Sequence, residues 1–215
     1  MINYIIFDMD GTLIDSSAII SNSINYVRSK LGLPPMDRKL ILQAVNDTTI
    51  HRPRFFYGVE EYEPRHVEWF REYYSKNHHK ETRLYTGIKE LLEKLKPHFH
   101  LALATNAYRV SAEQILAHLQ IKDYFEIIVC GDEVEHPKPA PDMIEKIIDF
   151  FGCEKEEIIL VGDGKTDEEA ARAAGIAFIK VNWGWSSYED AIESVKELEE
   201  ILFKFYTHKA PYRAS

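Results

Sequence analysis

In the second half of the chain, short apolar runs rich in β-branched residues alternate with segments of helical periodicity. This alternation limits the fold more than any other feature. The runs are residues 101–104 (LALA), 127–130 (IIVC), 158–161 (IILV) and 177–181 (AFIKV). Segments 111–119, 141–151 and 166–174 separate them, with apolar side chains at helical spacing. Segment 88–96 does the same before the first run and is stopped by Pro97. Pro141 suits a first helical turn, and Gly152 and Gly175 suit helix stops. A fifth run, residues 5–7 (IIF), stands near the N-terminus. Strands that alternate with helices predict an α/β fold, in which these five runs form a parallel sheet covered on both faces.

Residues 16–84 break the rhythm. They contain no convincing strand run, they are dense in aromatics, and segments 18–31, 37–45 and 64–76 read as helices. The expectation is a helical insert between the first strand and the first helix of the sheet unit. The insert carries 11 Lys+Arg against 8 Asp+Glu, whereas the rest of the chain carries 15 against 27. It is the relatively cationic part of a chain whose net charge is -9. That overall charge disfavours nucleic acid and anionic membrane surfaces as partners. No apolar run approaches the roughly 20 residues needed to span a bilayer. Cys130 and Cys153 are the only cysteines and form no CxxC pair, so a reducing cytoplasm is expected. The tail from residue 207 reads as frayed, and the His78–His79 pair as a solvated helix end among lysines and a glutamate.

Each run ends in polar residues of a particular kind. The first meets Asp8 and Asp10, two carboxylates one residue apart, which raise each other's pKa unless a cation or shared proton intervenes. The second ends in Thr105 and Asn106. The third is followed by Lys138 between two prolines, and the fourth by Asp163 and Asp167. In an open parallel sheet, sites form outside the carboxyl ends of the strands, so these groups are expected to converge. Clustered carboxylates supply hard oxygen ligands for Mg²⁺. Thr105, Lys138 and neighbouring backbone N–H groups suit phosphate oxygens. One acid of the Asp8/Asp10 pair can attack phosphorus while the other moves protons. "GKT" at residues 164–166 imitates the end of a P-loop, but Ile159 occupies the position where that motif needs glycine.

"DMDGTLID", "ATNA", "KPAPDM" and "GDGKTD" resemble, in order, the four motifs of the haloacid-dehalogenase-like hydrolase superfamily. The resemblance is nearest to the phosphoglycolate phosphatase and β-phosphoglucomutase-like branch. It departs from that branch at Thr86, where proline is usual, a change expected to affect the hinge and not the chemistry. It implies a Rossmann-like core from residues 1–15 and 85–215 with a helical cap from residues 16–84. It also implies a Mg²⁺-dependent phosphatase of a small phosphorylated metabolite working through a phosphoaspartyl enzyme, monomeric or homodimeric. Carried over by position, Asp8 is the nucleophile and Asp10 the general acid and then base. Asp8, the Asp10 carbonyl and Asp163 hold the metal, with Asp167 in support, and Thr105, Asn106 and Lys138 hold the phosphoryl group.

The acid at Asp10 separates reaction types, because relatives that attack carbon or cleave phosphonates lack it. A phosphomutase of the β-phosphoglucomutase type is the alternative. A non-enzymatic phosphoryl-accepting module is a further one, disfavoured by the paired acids ending the first strand and by the insert. Substrate choice falls to the cap. There the stretch "VNDTTIHRPRFFYG" matches neither group's signature, and Arg52 and Arg54 are candidates for an anionic substrate tail.

Overall fold

The computed structural model describes residues 1–47, 49–183 and 191–207. Five strands form one parallel sheet: β1 (Tyr4–Phe7), β4 (His100–Thr105), β5 (Ile127–Cys130), β6 (Ile158–Gly162) and β7 (Ala177–Lys180), in the order β5-β4-β1-β6-β7. β1 is central, with Ile5 opposite Leu101 on one side and Ile159 on the other. The chain therefore winds away from β1 in both directions, and the strand order reverses beside it. That reversal is where open α/β sheets place their sites.

Alternation along the strands divides the interior into two layers. Ile5, Phe7, Leu101, Leu103 and Val161 face one side. There they pack against α5 (Ile88–Leu95), α6 (Arg109–His118) and α9 (Val195–Thr207) through Leu91, Leu92, Ile115, Leu198 and Leu202. Ile6, Ala102, Ala104 and Leu160 face the other side. They meet α7 (Asp142–Phe151) and α8 (Lys165–Ala174) through Ile144, Ile147, Ala170 and Ala174. The alanines on strand and helix let α8 approach closely. Cys130 and Cys153 are unpaired, and burial pushes the Cys130 thiol up to about 12, which suits a packing role.

Between β1 and α5 lie α1 (Ser17–Lys30), α2 (Arg38–Asn46), α3 (Arg52–Tyr57) and α4 (Pro64–Glu81). These helices have their own apolar cluster of Ile24, Val27, Ile41, Ala44, Phe56 and Tyr57. Two short strands, β2 (Ile14–Asp15) and β3 (Arg83–Leu84), pair antiparallel where the chain enters and leaves this unit. The sequence reading lacks three features seen here. The β2–β3 ribbon is too short to show a period. α3 was not expected, although Pro53 in its first turn and the left-handed Gly58 at its end are helix signals. α4 runs on to Glu81, so His78 is not a solvated end: it is buried against α6, and only His79 is exposed. The tail beyond residue 207 lies outside the described residues. Among the described residues, no helix is long and apolar enough to cross a membrane.

Candidate active site

The carboxyl ends of β1, β4 and β6 deliver their polar residues to one place. Asp8 follows β1 directly, and its N–H still donates to Val161 O at 2.9 Å, so the sheet fixes its backbone. Asp163 follows β6 and is buried, with Thr12 Oγ1 donating to it at 3.3 Å. Gly11 makes this closeness possible. Its φ is +85°, and a Cβ there would lie 2.5 Å from an Asp163 oxygen. Asp167 sits in the first turn of α8 and accepts the Gly164 N–H at 3.0 Å. Carboxylate oxygens of Asp8, Asp163 and Asp167 all lie within 4.8 Å of one another.

Lys138 comes from the loop after β5 and is buried among these acids. Its Nζ donates to Asp8 Oδ1 at 2.7 Å, Asp167 Oδ1 at 2.6 Å and Ala104 O at 2.7 Å. An ammonium has three donors, and all three are used. Burial opposes the charge, but Asp167 and Asp8 outweigh it and raise the Lys138 pKa above the ordinary lysine range. One cation does not neutralise three buried carboxylates. Burial first, then Asp167, push Asp8 up to about 7 against the pull of Lys138. Burial, then Asp8 and Asp167, raise Asp163. The cluster is short of positive charge, and its donors are hard oxygens, so the group fits a divalent cation of the Mg²⁺ type.

Asp10 stands apart from that group. Its Oδ1 accepts from Ser16 Oγ at 2.5 Å. Burial raises its pKa, while the Ser16 hydrogen bond and Lys138 act the other way. Thr105 Oγ1 accepts the Ala107 N–H at 3.1 Å, and Asn106 Nδ2 donates to Lys138 O at 2.8 Å. The β4–α6 turn and the lysine loop thus brace each other.

Asp8, Asp10, Thr105, Asn106, Lys138 and Asp167 line one end of a cavity of about 420 Å³ that continues into the four-helix unit. Arg52 lines it too. Arg54 does not: two residues on, about half a turn along α3, its exposed side chain pairs with Glu60 at 3.9 Å. Ser16, Arg71 and His66 are among the lining or supporting residues that the sequence reading does not name. Ser16 had the weakest signal, the first of two serines after the DGTLID motif. Arg71 lines the cavity with its guanidinium 4.2 Å from the centre of the Tyr108 ring. Val67, Phe70, Arg71 and Tyr74 share one face of α4, so a cation within an apolar stripe was the available clue. His66 lies in the first turn of the same helix.

A family profile described as haloacid dehalogenase-like hydrolase matches residues 5–181. A phosphoglycolate phosphatase of Chromobacterium violaceum is 30% identical over 94% of this chain and 96% of its own. One of Aquifex aeolicus is 32% identical over 84% of this chain and 85% of its own. A crystal structure described as a predicted phosphatase from Clostridium acetobutylicum superposes with a TM-score of 0.84 at 29% identity, covering 95% of this chain and 99% of that one.

Proposed function

The chain belongs to the haloacid dehalogenase-like hydrolases, as a phosphoric monoester hydrolase of small phosphorylated substrates, and from that premise we propose a Mg²⁺-dependent reaction through a phosphoaspartyl enzyme. The observation that carries it is the buried group of Asp8, Asp163, Asp167 and Lys138 beside Asp10 at the base of the cavity. Asp8 and Asp163, with the main-chain carbonyl of Asp10, are the proposed metal ligands, and Asp167 supports them. When bound, the cation supplies the missing positive charge and draws electron density from the phosphoryl oxygens.

In this reading a carboxylate oxygen of Asp8 attacks phosphorus, and the ester P–O bond breaks. Asp10 passes its proton to the departing alkoxide. It then takes a proton from the water that attacks the phosphoaspartate, releasing phosphate and restoring Asp8. The raised pKa of Asp10 suits the first role, because a buried acid keeps its proton until the alkoxide needs it. Lys138 orients Asp8 through Oδ1 and faces the incoming phosphate, which Thr105 and Asn106 help to hold. Residues 16–84 act as a cap over the core formed by residues 1–15 and 85–215, with the β2–β3 ribbon as its two-stranded connection. Phosphoglycolate is the substrate named for the curated relatives, and Arg52 and Arg71 are cations available to a carboxylate such as it carries.

The test is phosphate release from a panel of phosphorylated metabolites with and without Mg²⁺, on the parent and on Asp8→Asn. Release that needs Mg²⁺ and vanishes in a folded Asp8→Asn protein is expected. Full activity after thorough chelation, or turnover near the parent's in Asp8→Asn, refutes the mechanism.

A further inference from the structure

We propose that the cap end of the cavity recognises a substrate alcohol carrying a ring-sized apolar body and, beyond it, a hydrogen-bond acceptor read by His66. This rests on the phosphatase reading and specifies the substrate class.

The first observation is the lining. A cavity of about 420 Å³ is in the range of pockets, roughly 300–1,000 Å³, that bury most of a drug-sized ligand. A two-carbon acid such as glycolate leaves much of it empty. Away from the strand ends, its wall is mostly rings (Phe56, Tyr57, Tyr62, Phe70 and Tyr74) and aliphatic side chains such as Ile24 and Val67, with the two cations Arg52 and Arg71 among them. Ile24, Phe56 and Tyr57 belong to the cap's own apolar cluster. The cavity therefore borders that cluster. Apolar walls of this kind gain when an apolar ligand group takes them out of water.

The second observation is independent of the first. His66 is only 1% exposed, and its Nε2 has no hydrogen-bond partner. Its Nδ1 accepts the Glu63 N–H at 3.1 Å, closing the capping box at the start of α4. A neutral imidazole that accepts at Nδ1 carries its proton on Nε2, so the orphan atom is a donor. His66 lines the same cavity as Asp8, and its ring lies 5.1 Å from that of Tyr57. A buried N–H without an acceptor costs free energy that a ligand acceptor would recover. Largely apolar walls with one buried, unpartnered donor among them select a flat or branched apolar group ending in a carbonyl, ring nitrogen or ether oxygen. The two-carbon acid is too short to fill those walls with its phosphate among Thr105, Asn106 and Lys138.

The experiment compares kcat/KM, with Mg²⁺, for ethyl phosphate, phosphoglycolate, benzyl phosphate and benzyl phosphates bearing an acetyl group at ring position three or four. All have alkoxide leaving groups, so the chemistry is nearly constant. Benzyl phosphate should exceed ethyl phosphate by at least about 10-fold. At least one acetyl compound should gain about a further 3–10-fold. His66→Phe should erase only that second gain. His66→Gln keeps an acceptor for the Glu63 N–H, and its amide donor should recover part of the gain. Phosphoglycolate or ethyl phosphate matching benzyl phosphate would overturn the inference and leave the phosphatase reading standing. So would a His66→Phe effect equal on all esters, which marks a helix-capping role alone. Absence of phosphate release from every ester by folded protein would overturn both.

Discussion

The core and the cap treat buried polar atoms in opposite ways. At the strand ends, Lys138 spends all three of its donors, and Asp167 is tied to both Lys138 and the start of α8. Among the described residues, two buried side-chain nitrogens lack any partner, His66 Nε2 and His78 Nδ1, and both belong to α4 of the cap. At His66 the difference fits the roles proposed for the two regions. Phosphoryl transfer needs a fixed charge pattern, which a saturated network holds without reorganisation. Recognition needs unfilled valences and unfilled volume, because the ligand supplies the missing contacts. A buried donor left open is thus a cost in the free protein that a bound substrate offsets.

The sharpest way to break the core is to remove Lys138, the cation bonded to Asp8 and Asp167. Lys138→Met leaves three carboxylates facing one another without compensation, and losing one partner of a buried ion group typically costs about 3–5 kcal/mol. The variant should lose its activity and unfold at markedly lower denaturant. Divalent metal should recover part of the stability. A Lys138→Met protein as stable and active as the parent would mean that the network is not what holds the core site.

Asp10 tests the chemistry without that collapse, since its contact is Ser16 and not the lysine. Asp10→Asn should slow alkyl phosphate hydrolysis by about 10²–10⁴-fold, the usual worth of a positioned acid. Aryl phosphates, whose alcohols leave without a proton, should lose much less. Equal losses on both would remove Asp10 from the acid role.

How much of this was legible beforehand also divides along the core–cap line. In the core, each strand is an apolar run stopped by a polar group, and a parallel sheet brings such ends together whatever their separation in sequence. Asp8, Thr105, Lys138 and Asp163 could therefore be placed from pattern alone. The cap offers no such rule. Arg52 and Arg54 are chemically equivalent in sequence, and only the phase of α3 aims one at the cavity and the other at Glu60. That helix is six residues long, too short for a period to fix its phase. His78 follows Tyr74 by one turn and shares its buried face, but the lysines and glutamate around it hid the continuation. An orphan nitrogen such as His66 Nε2 has no sequence signature, because it is defined by the absence of a neighbour.

The two arginines sharpen the cap side of the comparison. Arg52→Ala should raise KM for a carboxylate-bearing phosphoester by the equivalent of roughly 1.5–3 kcal/mol, the range for a hydrogen bond to a charged group. A neutral ester should change little. Arg54→Ala should change neither, because its pair with Glu60 is exposed, with both side chains above 70% accessible (74% and 79%). If the two variants behave alike on both substrates, the geometry of α3 does not govern recognition.

The smallest effect expected is on stability against pH, because the two regions push in opposite directions. In metal-free protein, Asp8 has its pKa raised to about 7 by burial and by Asp167. A carboxyl raised on folding contributes stability that is present below its ordinary pKa near 4 and lost as pH rises through the folded value. His78 has its pKa lowered from 6.5, chiefly by burial and also by His79 and His118, while Gln114 pulls the other way. A base lowered on folding contributes stability that is present above 6.5 and lost as pH falls below it. Thermal midpoints in chelator between pH 5 and 8 should therefore fall as pH rises, less steeply below 6.5, where His78 opposes the acids. Mg²⁺ should reduce that fall by binding the core acids in their ionised form, and His78→Leu should steepen it below 6.5. If chelated protein gains stability steadily up to pH 8, the charge deficit at the strand ends is not what limits the core. If His78→Leu leaves the slope below pH 6.5 unchanged, the buried histidine is not the group that couples the cap to proton concentration.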